Sequence, residues 1–244
     1  MAISNERATM VDGQHHGPRR SAMATGSEAI EDYAKAIFAL ELRGDGEVSN
    51  SAVAERLGVA PASVSAMLKR MAEQGLVEYE PYRGATLTAA GKRVALEVLR
   101  HHRLIESYLS DALGMPWDRV HDEAEVLEHY ISEELEERIA EALGNPSVDP
   151  HGDPIPDAEL GIAPPEGVPL AQLGEGARAT LCRVSDADPG LLRYLAERGI
   201  RLGTELLVIE RDEVGGSLLV EVAGAPHSIG ERLAERMLVA ERAE

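Results

Sequence analysis

The chain contains 244 residues, of which 27% are charged and 44% hydrophobic, and its formal net charge is −19 at pH 7. This length suggests one large or two modest domains, and the sequence shows neither an apolar run of membrane-spanning length nor an N-terminal secretory signal. Cys182 is the only cysteine, which excludes a disulfide framework and predicts a protein of the reducing cytoplasm with no membrane partner.

The first ordered element is predicted to follow a disordered tail at residues 1–26, which lacks apolar periodicity. Ser27 is a suitable N-cap for a helix, and Arg43-Gly44 marks where that helix ends. Two polar residues, Asp32 and Lys35, lie off its apolar stripe, which consists of Ile30, Tyr33, Ala34, Ile37, Phe38 and Leu40.

A helix-turn-helix pattern comes next. Residues 52–57 and 61–74 are predicted helices joined by a tight turn that contains Gly58. Residues 76–79 and 85–88 then alternate as strands around a turn, and a hairpin directly behind a recognition helix is the wing of a winged helix. The second helix and the wing supply the residues predicted to contact DNA: Ser63, Ser65, Lys69, Arg70 and Arg83.

The distribution of charge supports DNA binding in spite of the acidic total. Residues 61–93 contain five basic and three acidic side chains, whereas residues 101–145 contain three arginines and twelve acidic side chains. A slightly basic module followed by an acidic one fits DNA at one face and cations at another. The alternative for each predicted DNA contact is an ordinary exposed residue of a helix or turn.

Two long helices are predicted over residues 88–113 and 117–143, with a break at Gly114-Met115-Pro116. They form a helical hairpin, part of whose apolar stripe is predicted to be a homodimer surface. Residues 147–169 are rich in Pro, Gly and Asp and predict a linker that is partly ordered at best. Beyond it, short strands at residues 177–184, 205–211 and 217–222, with a helical segment at 191–198, predict an SH3-like barrel without a catalytic motif.

Residues 121–129 carry the strongest chemical signal. If they are helical, His121, Glu125, Glu128 and His129 fall on one face at offsets of four and three. Two imidazoles and two carboxylates on one stripe are what a divalent-metal site needs. The alternative is a solvated acidic face with incidental histidines.

A second group is predicted on the preceding helix, where His102 and Glu106 share a face and can approach His121 if the helices pack antiparallel. With these motifs, residues 27–244 resemble the DtxR/MntR family of metal-activated bacterial transcription repressors. The resemblance rests on the winged helix and on three motifs: H-R-L-x-E from His102 to Glu106, H-D-E-A-x-x-x-E-H from His121 to His129, and P-x-G-x-P-I-P from Pro150 to Pro156.

The resemblance implies a mainly α fold with a small β component. Its parts would be a winged-helix DNA-binding domain at residues 27–96, a helical dimerisation and metal-binding domain at 97–146, the linker, and an SH3-like (FeoA-like) β-barrel at 170–244. It also implies two metal sites. The primary, regulatory site would consist of Asp32, Glu125, Glu128 and His129. The second would consist of His102, Glu106 and His121, completed by barrel oxygens for which Asp186 and Asp188 are the candidates.

The identity of the metal is predicted from two positions. Iron-type family members carry a Met and a Cys in the primary site, where this chain has Asp32 and Glu125, and hard carboxylate oxygens suit Mn(II). Fe(II), Co(II) and Zn(II) are expected to bind in vitro. Some manganese-type relatives have another acidic ligand three residues after the aspartate. Here that position is Lys35, so we expect one ion in the primary site and one in the second.

These features predict a manganese(II)-activated, homodimeric repressor that binds a double-stranded DNA operator and controls manganese uptake. It would be no enzyme and would have no small-molecule substrate. Without metal, the primary-site carboxylates are expected to repel one another and let the DNA-binding module swing. One alternative is an iron(II)-dependent repressor of the same family. The other is a carboxylate-bridged metalloenzyme, which is disfavoured because the Glu-x-x-His repeats of such centres are absent.

Overall fold

The computed structural model describes residues 27–44, 47–212 and 214–241, so the tail predicted to be disordered, residues 1–26, lies outside the described chain. A helix-turn-helix module, three further helices and a six-stranded sheet follow one another along the sequence. The predicted fold class, mainly α with a small β component, is thereby confirmed. Within the described ranges, no helix has both the length and the apolar character needed to cross a membrane.

The N-terminal module is the predicted winged helix. It consists of α1 (Glu28–Glu41), α2 (Asn50–Leu57), α3 (Pro61–Glu73), β1 (Val77–Glu80) and β2 (Gly84–Leu87). Gly58 ends α2 in the left-handed conformation at φ 62°, which glycine adopts without the steric cost that a side chain imposes. The apolar faces of the three helices and the hairpin share one core, in which Ile37, Val53, Val64 and Leu68 are fully buried.

The helical middle of the chain has three helices: α4 (Ala89–Asp111), α5 (Val120–Leu127) and α6 (Glu133–Ala142). The single helix predicted over residues 117–143 is therefore wrong. The chain turns after Leu127, and the hydroxyl of Ser132 accepts the N–H of Leu135 as the N-cap of α6. Glu128 is the C-cap of α5, with helical backbone angles and its N–H bonded to the carbonyl of Ala124, whereas His129 lies in the turn that follows. The predicted helical stripe from His121 therefore extends to Glu128 but does not include His129.

The C-terminal part is an antiparallel sheet that surrounds its own apolar core, as expected for an SH3-like domain. It comprises β3 (Val168–Pro169), β4 (Arg178–Val184), α7 (Pro189–Ala196), β5 (Glu205–Asp212), β6 (Ser217–Val222), β7 (Ala225–Gly230), α8 (Glu231–Ala234) and β8 (Met237–Glu241). The strand order is β3-β8-β4-β5-β6-β7. The three predicted strands correspond to β4, β5 and β6, and the predicted helical segment corresponds to α7.

The segment predicted to be a linker is instead packed between the helices and the sheet. Asp149, His151 and Ile155 are buried, and the amide N–H of Val184 in β4 donates to the carbonyl of His151 at 2.8 Å. The guanidinium of Arg103 on α4 donates to the carbonyl of Pro154. Composition alone suggested a loose chain, but these hydrogen bonds give the segment one conformation.

Trp117 joins the sheet to the helices. Its indole lies in the core of the C-terminal domain with 4% exposure, and its Nε1–H donates to the carbonyl of Leu192 at 3.1 Å. Arg193 on α7 pairs with Asp118 at 3.2 Å in the same region. Burial of an indole of this size contributes roughly 2–3 kcal/mol. The C-terminal domain is thus docked close to the start of α5, where the candidate metal ligands lie.

Candidate metal centre

The first cluster brings α1 together with the turn after α5. Asp32 Oδ1 lies 3.1 Å from His129 Nε2, and Glu128 Oε1 lies 3.5 Å from the same nitrogen. These three residues each offer one donor atom, and the three atoms lie within 4.8 Å of one another. We call this set the Asp32 cluster. It contains three of the four residues predicted for the primary site.

The fourth residue, Glu125, lies at the rim of the Asp32 cluster. Its donor atom groups with donors of Glu128 and His102, and its Oε1 lies 3.8 Å from His121 Nε2. Its side chain is 43% exposed, whereas that of Glu128 is fully buried. Glu125 therefore stands between the two predicted sites at the solvent edge.

A lysine ammonium lies among these carboxylates. Lys35 Nζ donates to Glu125 Oε1 at 2.8 Å and to Glu128 Oε1 at 2.5 Å. Burial would raise the pKa of Glu125, but the ammonium outweighs burial and lowers that pKa to about 2. The expectation that the metal-free carboxylates simply repel one another is therefore wrong, because a positive charge on α1 already holds them.

The second cluster, which we call the Glu106 cluster, consists of His102, Glu106, His121 and Asp186. Glu106 Oε1 lies 3.0 Å from His102 Nε2 and 3.2 Å from His121 Nδ1. Asp186, in the loop after β4, places Oδ2 3.4 Å from the same His121 nitrogen. The three helical residues predicted for the second site and one of the two barrel candidates therefore come together.

Asp188, the other barrel candidate, is the N-cap of α7. Its Oδ1 accepts the backbone N–H of Gly190 at 2.9 Å and so caps the first turn of α7. Aspartate is a favoured residue at this position because it satisfies an N–H that the helix leaves free. Among the described residues, Asp188 belongs to none of the groups with metal-ligand spacing.

Glu128 connects the two clusters. Its Oε2 lies 2.5 Å from His102 Nδ1, while its Oε1 contacts Lys35 and His129. His102 in turn directs its other nitrogen at Glu106. A continuous chain of hydrogen bonds therefore runs from α1 to the Glu106 cluster through one buried carboxylate.

Bound protons supply much of the positive charge in both clusters. Burial would lower the pKa of His102, but the carboxylate of Glu106 outweighs it and raises the pKa to about 10. Burial also opposes the charged form of His129, whose hydrogen bonds to Asp32 and Glu31 raise its pKa to about 9. Both imidazoles are therefore cationic at neutral pH.

Two buried residues beside the Glu106 cluster escaped the sequence analysis. His151 has no exposed surface, and its Nδ1 lies 3.8 Å from Glu106 Oε2. Asp149 lies behind it, 4.0 Å from the same nitrogen. The motif from Pro150 to Pro156 contributes to the family resemblance, but the sequence analysis assigns its histidine no ligand role. The signal that could have found it is a histidine inside that motif.

The donor chemistry of both clusters fits a divalent cation. Carboxylate oxygens and imidazole nitrogens are the ligands that divalent first-row metals take. Two of these carboxylates, Glu106 and Glu128, are buried, and their contacts are with histidines and the Lys35 ammonium. Asp32, Glu125, Glu128 and His129 would hold an ion at the first cluster. His102, Glu106, His121 and Asp186 would hold one at the second.

The predicted DNA contacts differ in availability. Ser63, Lys69 and Arg70 are exposed on α3. The hydroxyl of Ser65 instead accepts a hydrogen bond from Asn50 Nδ2 at 2.8 Å and helps to fix α2 against α3. Arg83 is exposed on the wing but pairs with Glu80 at 2.8 Å and Glu47 at 3.5 Å.

One exposed residue of the wing was not predicted as a DNA contact. Tyr82 stands at the tip of the wing with its side chain fully exposed and a φ of 69°. A left-handed backbone conformation is uncommon for a residue with a bulky side chain. Its position beside Arg83 gives the tip an aromatic as well as a cationic group.

Comparison with protein families gives three consecutive matches. Residues 26–85 match the iron dependent repressor N-terminal DNA binding domain, and residues 88–157 match the iron dependent repressor metal binding and dimerisation domain. Residues 168–241 match the FeoA domain. Together the three matches cover all three parts of the observed fold.

Individual relatives agree with these matches. The diphtheria toxin repressor of Corynebacterium efficiens is 34% identical over 192 residues, which cover 75% of this chain and 83% of that protein. The iron-dependent repressor IdeR of Mycobacterium tuberculosis is 39% identical over 147 residues, or 60% of this chain and 64% of that protein. A solved manganese-dependent transcriptional repressor in complex with manganese is 41% identical, with a TM-score of 0.80 over 87% of this chain and 100% of that one.

Proposed function

The chain belongs to the iron-dependent repressor (DtxR/MntR) family of metal-dependent, DNA-binding transcriptional repressors, and on this premise we propose that it responds to manganese(II) and represses manganese uptake. Members of this family are transcriptional repressors rather than enzymes, so the metalloenzyme alternative is set aside. What the proposal adds is the metal, the regulated process and the residues that carry the response.

The chemistry of the Asp32 cluster is the observation that carries the proposal. Its donors are carboxylates and one imidazole, and none of its members is a cysteine or methionine. Hard oxygen donors suit Mn(II), whereas thiolate and thioether ligands select softer ions. The solved relative that is 41% identical is named as manganese-dependent, which is consistent. The curated relatives named as iron-dependent make iron(II) the alternative that an experiment must separate.

The Asp32 cluster, with Lys35 and Glu125 at its rim, is formed by two parts of the chain that a response must couple. Asp32 and Lys35 belong to α1 of the DNA-binding module, whereas Glu125, Glu128 and His129 belong to the metal-binding domain. A dication bound there would supply positive charge to carboxylates of both parts. The relative position of the two parts then depends on which cation the carboxylates contact, and any shift is limited by the difference in metal affinity between the two arrangements.

Lys35 also bears on the number of ions. Its ammonium contacts both Glu125 and Glu128. It therefore fills the position that a second ion would need and neutralises the carboxylates that would bind that ion. We therefore assign one ion to the Asp32 cluster and one to the Glu106 cluster. An incoming ion must compete with Lys35 for Glu128, which lowers the affinity and allows the site to respond only above a threshold of free metal.

The homodimer follows from the apolar surface of the helical domain. Four apolar residues of this domain are exposed to solvent: Leu113 at 62%, Val126 at 59%, Leu127 at 40% and Leu135 at 47%. Such residues are suited to a contact with a second copy. A symmetric dimer presents two α3 helices to two half-sites of one operator.

DNA contacts are assigned to α3 and to the wing. Lys69, Arg70 and Arg83 would neutralise phosphates, and Ser63 is free to approach a base edge. Ser65 is assigned a supporting role, because its hydroxyl already bonds to Asn50. Tyr82 is added as a contact of the wing tip with the DNA backbone.

The experiment is a metal titration of purified, chelator-treated protein. DNA sites are first selected from a random duplex pool in the presence of Mn(II), and their affinity is then measured with Mn(II), Fe(II) under anaerobic conditions, Co(II) and Zn(II). We expect Mn(II) at micromolar concentration to strengthen binding and Glu125→Ala to abolish that response. The matched control is Glu137→Ala, which removes an exposed carboxylate of α6.

Two outcomes would overturn the proposal. If no metal changes DNA affinity, the chain does not act as a metal-responsive repressor. If Fe(II) activates at lower concentration than Mn(II), the iron(II) alternative replaces manganese. A normal manganese response of Glu125→Ala would show that the Asp32 cluster is not the regulatory site.

A further inference from the structure

His151 is held rigidly by its neighbours. Gly152 has a φ of 87°, and a Cβ at that position would lie 2.0 Å from the carbonyl oxygen of Cys182, so only glycine lets the segment approach β4 this closely. The carbonyl of His151 accepts the N–H of Val184, and its own N–H donates to Asp149 Oδ1 at 2.8 Å. Its ring stacks near Trp117, with 6.1 Å between ring centroids.

The hydrogen bonds of the ring define its tautomer. His151 Nε2 lies 2.7 Å from the backbone carbonyl oxygen of Trp117. A carbonyl oxygen can only accept, so Nε2 must carry the hydrogen. In the neutral ring, Nδ1 then holds a lone pair. This buried atom has no hydrogen-bond partner within the described residues.

The free nitrogen faces the Glu106 cluster. Glu106 Oε1 contacts His102 and His121, while its Oε2 is the oxygen nearest to His151 Nδ1. Donor atoms of Glu106, His151 and Asp186 lie within 4.8 Å of one another. A metal-ligating histidine almost always donates its other N–H to a carbonyl or carboxylate, which fixes its orientation. His151 and the carbonyl of Trp117 form that arrangement.

We propose that His151 is a metal ligand of the Glu106 cluster through Nδ1, which makes this site a three-histidine centre with Glu106 and Asp186 as its carboxylates. This inference rests on the proposed metal-responsive function and extends it. Ligands would then come from α4, α5, the segment after α6 and the C-terminal domain. An ion at this site would be held by all of the parts that pack around Trp117.

The ligand set also predicts which metal the site prefers. Three imidazole nitrogens suit Zn(II) and Co(II) better than Mn(II), whose affinity for a given set of ligands is the lowest of the divalent series. The Glu106 cluster should therefore bind Co(II) more tightly than it binds Mn(II). In a titration with Co(II), it should fill before the Asp32 cluster does.

Cobalt(II) is the probe for the test. Its visible absorption reports nitrogen ligation, and equilibrium dialysis of the full chain counts the ions bound. In the unaltered chain we expect saturable quenching of Trp117, the only tryptophan, as the first Co(II) binds. His151→Phe keeps a flat ring beside Trp117 and should lower the affinity for the first Co(II) roughly tenfold or more. His227→Phe, on β7, is the matched control and should behave like the unaltered chain.

Three outcomes separate the inference from the proposed function. If Glu106→Gln loses the first Co(II) but His151→Phe binds it normally, the second site exists and His151 is not its ligand. If the unaltered chain binds no Co(II) at all, the metal-responsive function itself fails. Should His151→Phe not fold, ¹⁵N spectra of histidine-labelled, unaltered protein decide: Zn(II) must shift His151 Nδ1 while Nε2 stays protonated, and an unchanged Nδ1 overturns the inference.

Discussion

The Asp32 cluster balances its carboxylates with a lysine and one histidine, whereas in the Glu106 cluster the carboxylates are in contact with histidines. The first has its rim in solvent, with Glu125 43% exposed, while Glu106 at the centre of the second is 1% exposed. A site that contains a competing ammonium and opens to solvent is suited to sensing a varying concentration of metal. A buried, imidazole-rich site is suited to holding domains together.

Glu128 gives the largest test of this contrast, because it contacts both clusters. Glu128→Gln removes a fully buried charge from Lys35, His102 and His129. We expect the free energy of unfolding of the metal-free protein to fall by about 3 kcal/mol, and both ions to bind more weakly. Urea unfolding and equilibrium dialysis measure the two effects. Glu137→Gln is the control, and loss of only one ion would show that the clusters are independent.

Lys35→Met should affect the two clusters differently. Without the ammonium, Mn(II) no longer competes for Glu128, so its affinity for the Asp32 cluster should rise roughly tenfold, the equivalent of one charged hydrogen bond. Co(II) binding to the Glu106 cluster should not change. Isothermal titration calorimetry measures both affinities, with Lys92→Met as the control on an exposed lysine. A weaker or unchanged Mn(II) affinity would contradict the competing role of Lys35.

The protons held by the clusters predict how stability depends on pH. The pKa values of His102 and His129 are raised in the folded protein to about 10 and about 9. Their contribution to stability is therefore fully present below pH 6.5 and is lost as the pH rises through 9 to 10. Urea unfolding with excess chelator should show this decline. Saturating metal should reduce it, because the ion replaces the protons, and a stability that rises over this range would be inconsistent with the prediction.

The smallest effect is expected at the rim of the Glu106 cluster. Asp186 is 32% exposed and contacts His121 at 3.4 Å, so Asp186→Asn should weaken Co(II) binding only a few-fold, by about 1 kcal/mol. Mn(II) binding to the Asp32 cluster should be unaffected. Asp188→Asn is the paired control, since asparagine also caps α7 well and Asp188 contacts neither cluster. Equal losses in both variants would argue against a ligand role for Asp186.

The winged helix and most of the sheet could be predicted because their signals are local. Apolar periodicity of α1 to α4, the glycine turn at Gly58 and the alternation of β4 to β6 are set by neighbouring residues. The single helix predicted over residues 117–143 missed the break between α5 and α6, although Ser132 followed by two glutamates is a local signal for a helix start. The Glu-rich stretch on either side favours a helix and masks that signal.

The candidate site was likewise predicted in part, where local signals group its residues, and missed where they do not. Offsets of three and four correctly grouped His102 with Glu106, and the family motifs brought His121 to them. The spacing of residues 121–129 predicted one helical face for His121, Glu125, Glu128 and His129, but α5 ends at Glu128 and His129 lies in the turn. Composition suggested a loose linker at residues 147–169, but hydrogen bonds to Arg103 and Val184 order it and bury His151 beside Glu106.

The sequence by itself determined which donor types the chain offers and on which elements they lie, because residue identity and helical period are local properties. Only the tertiary structure decided which donors share a site. Lys35 and Glu128 are 93 residues apart, and His151 and Trp117 are 34 apart. Their meeting depends on how α1, the turn after α5 and the segment before the sheet pack together, and no local pattern encodes that packing.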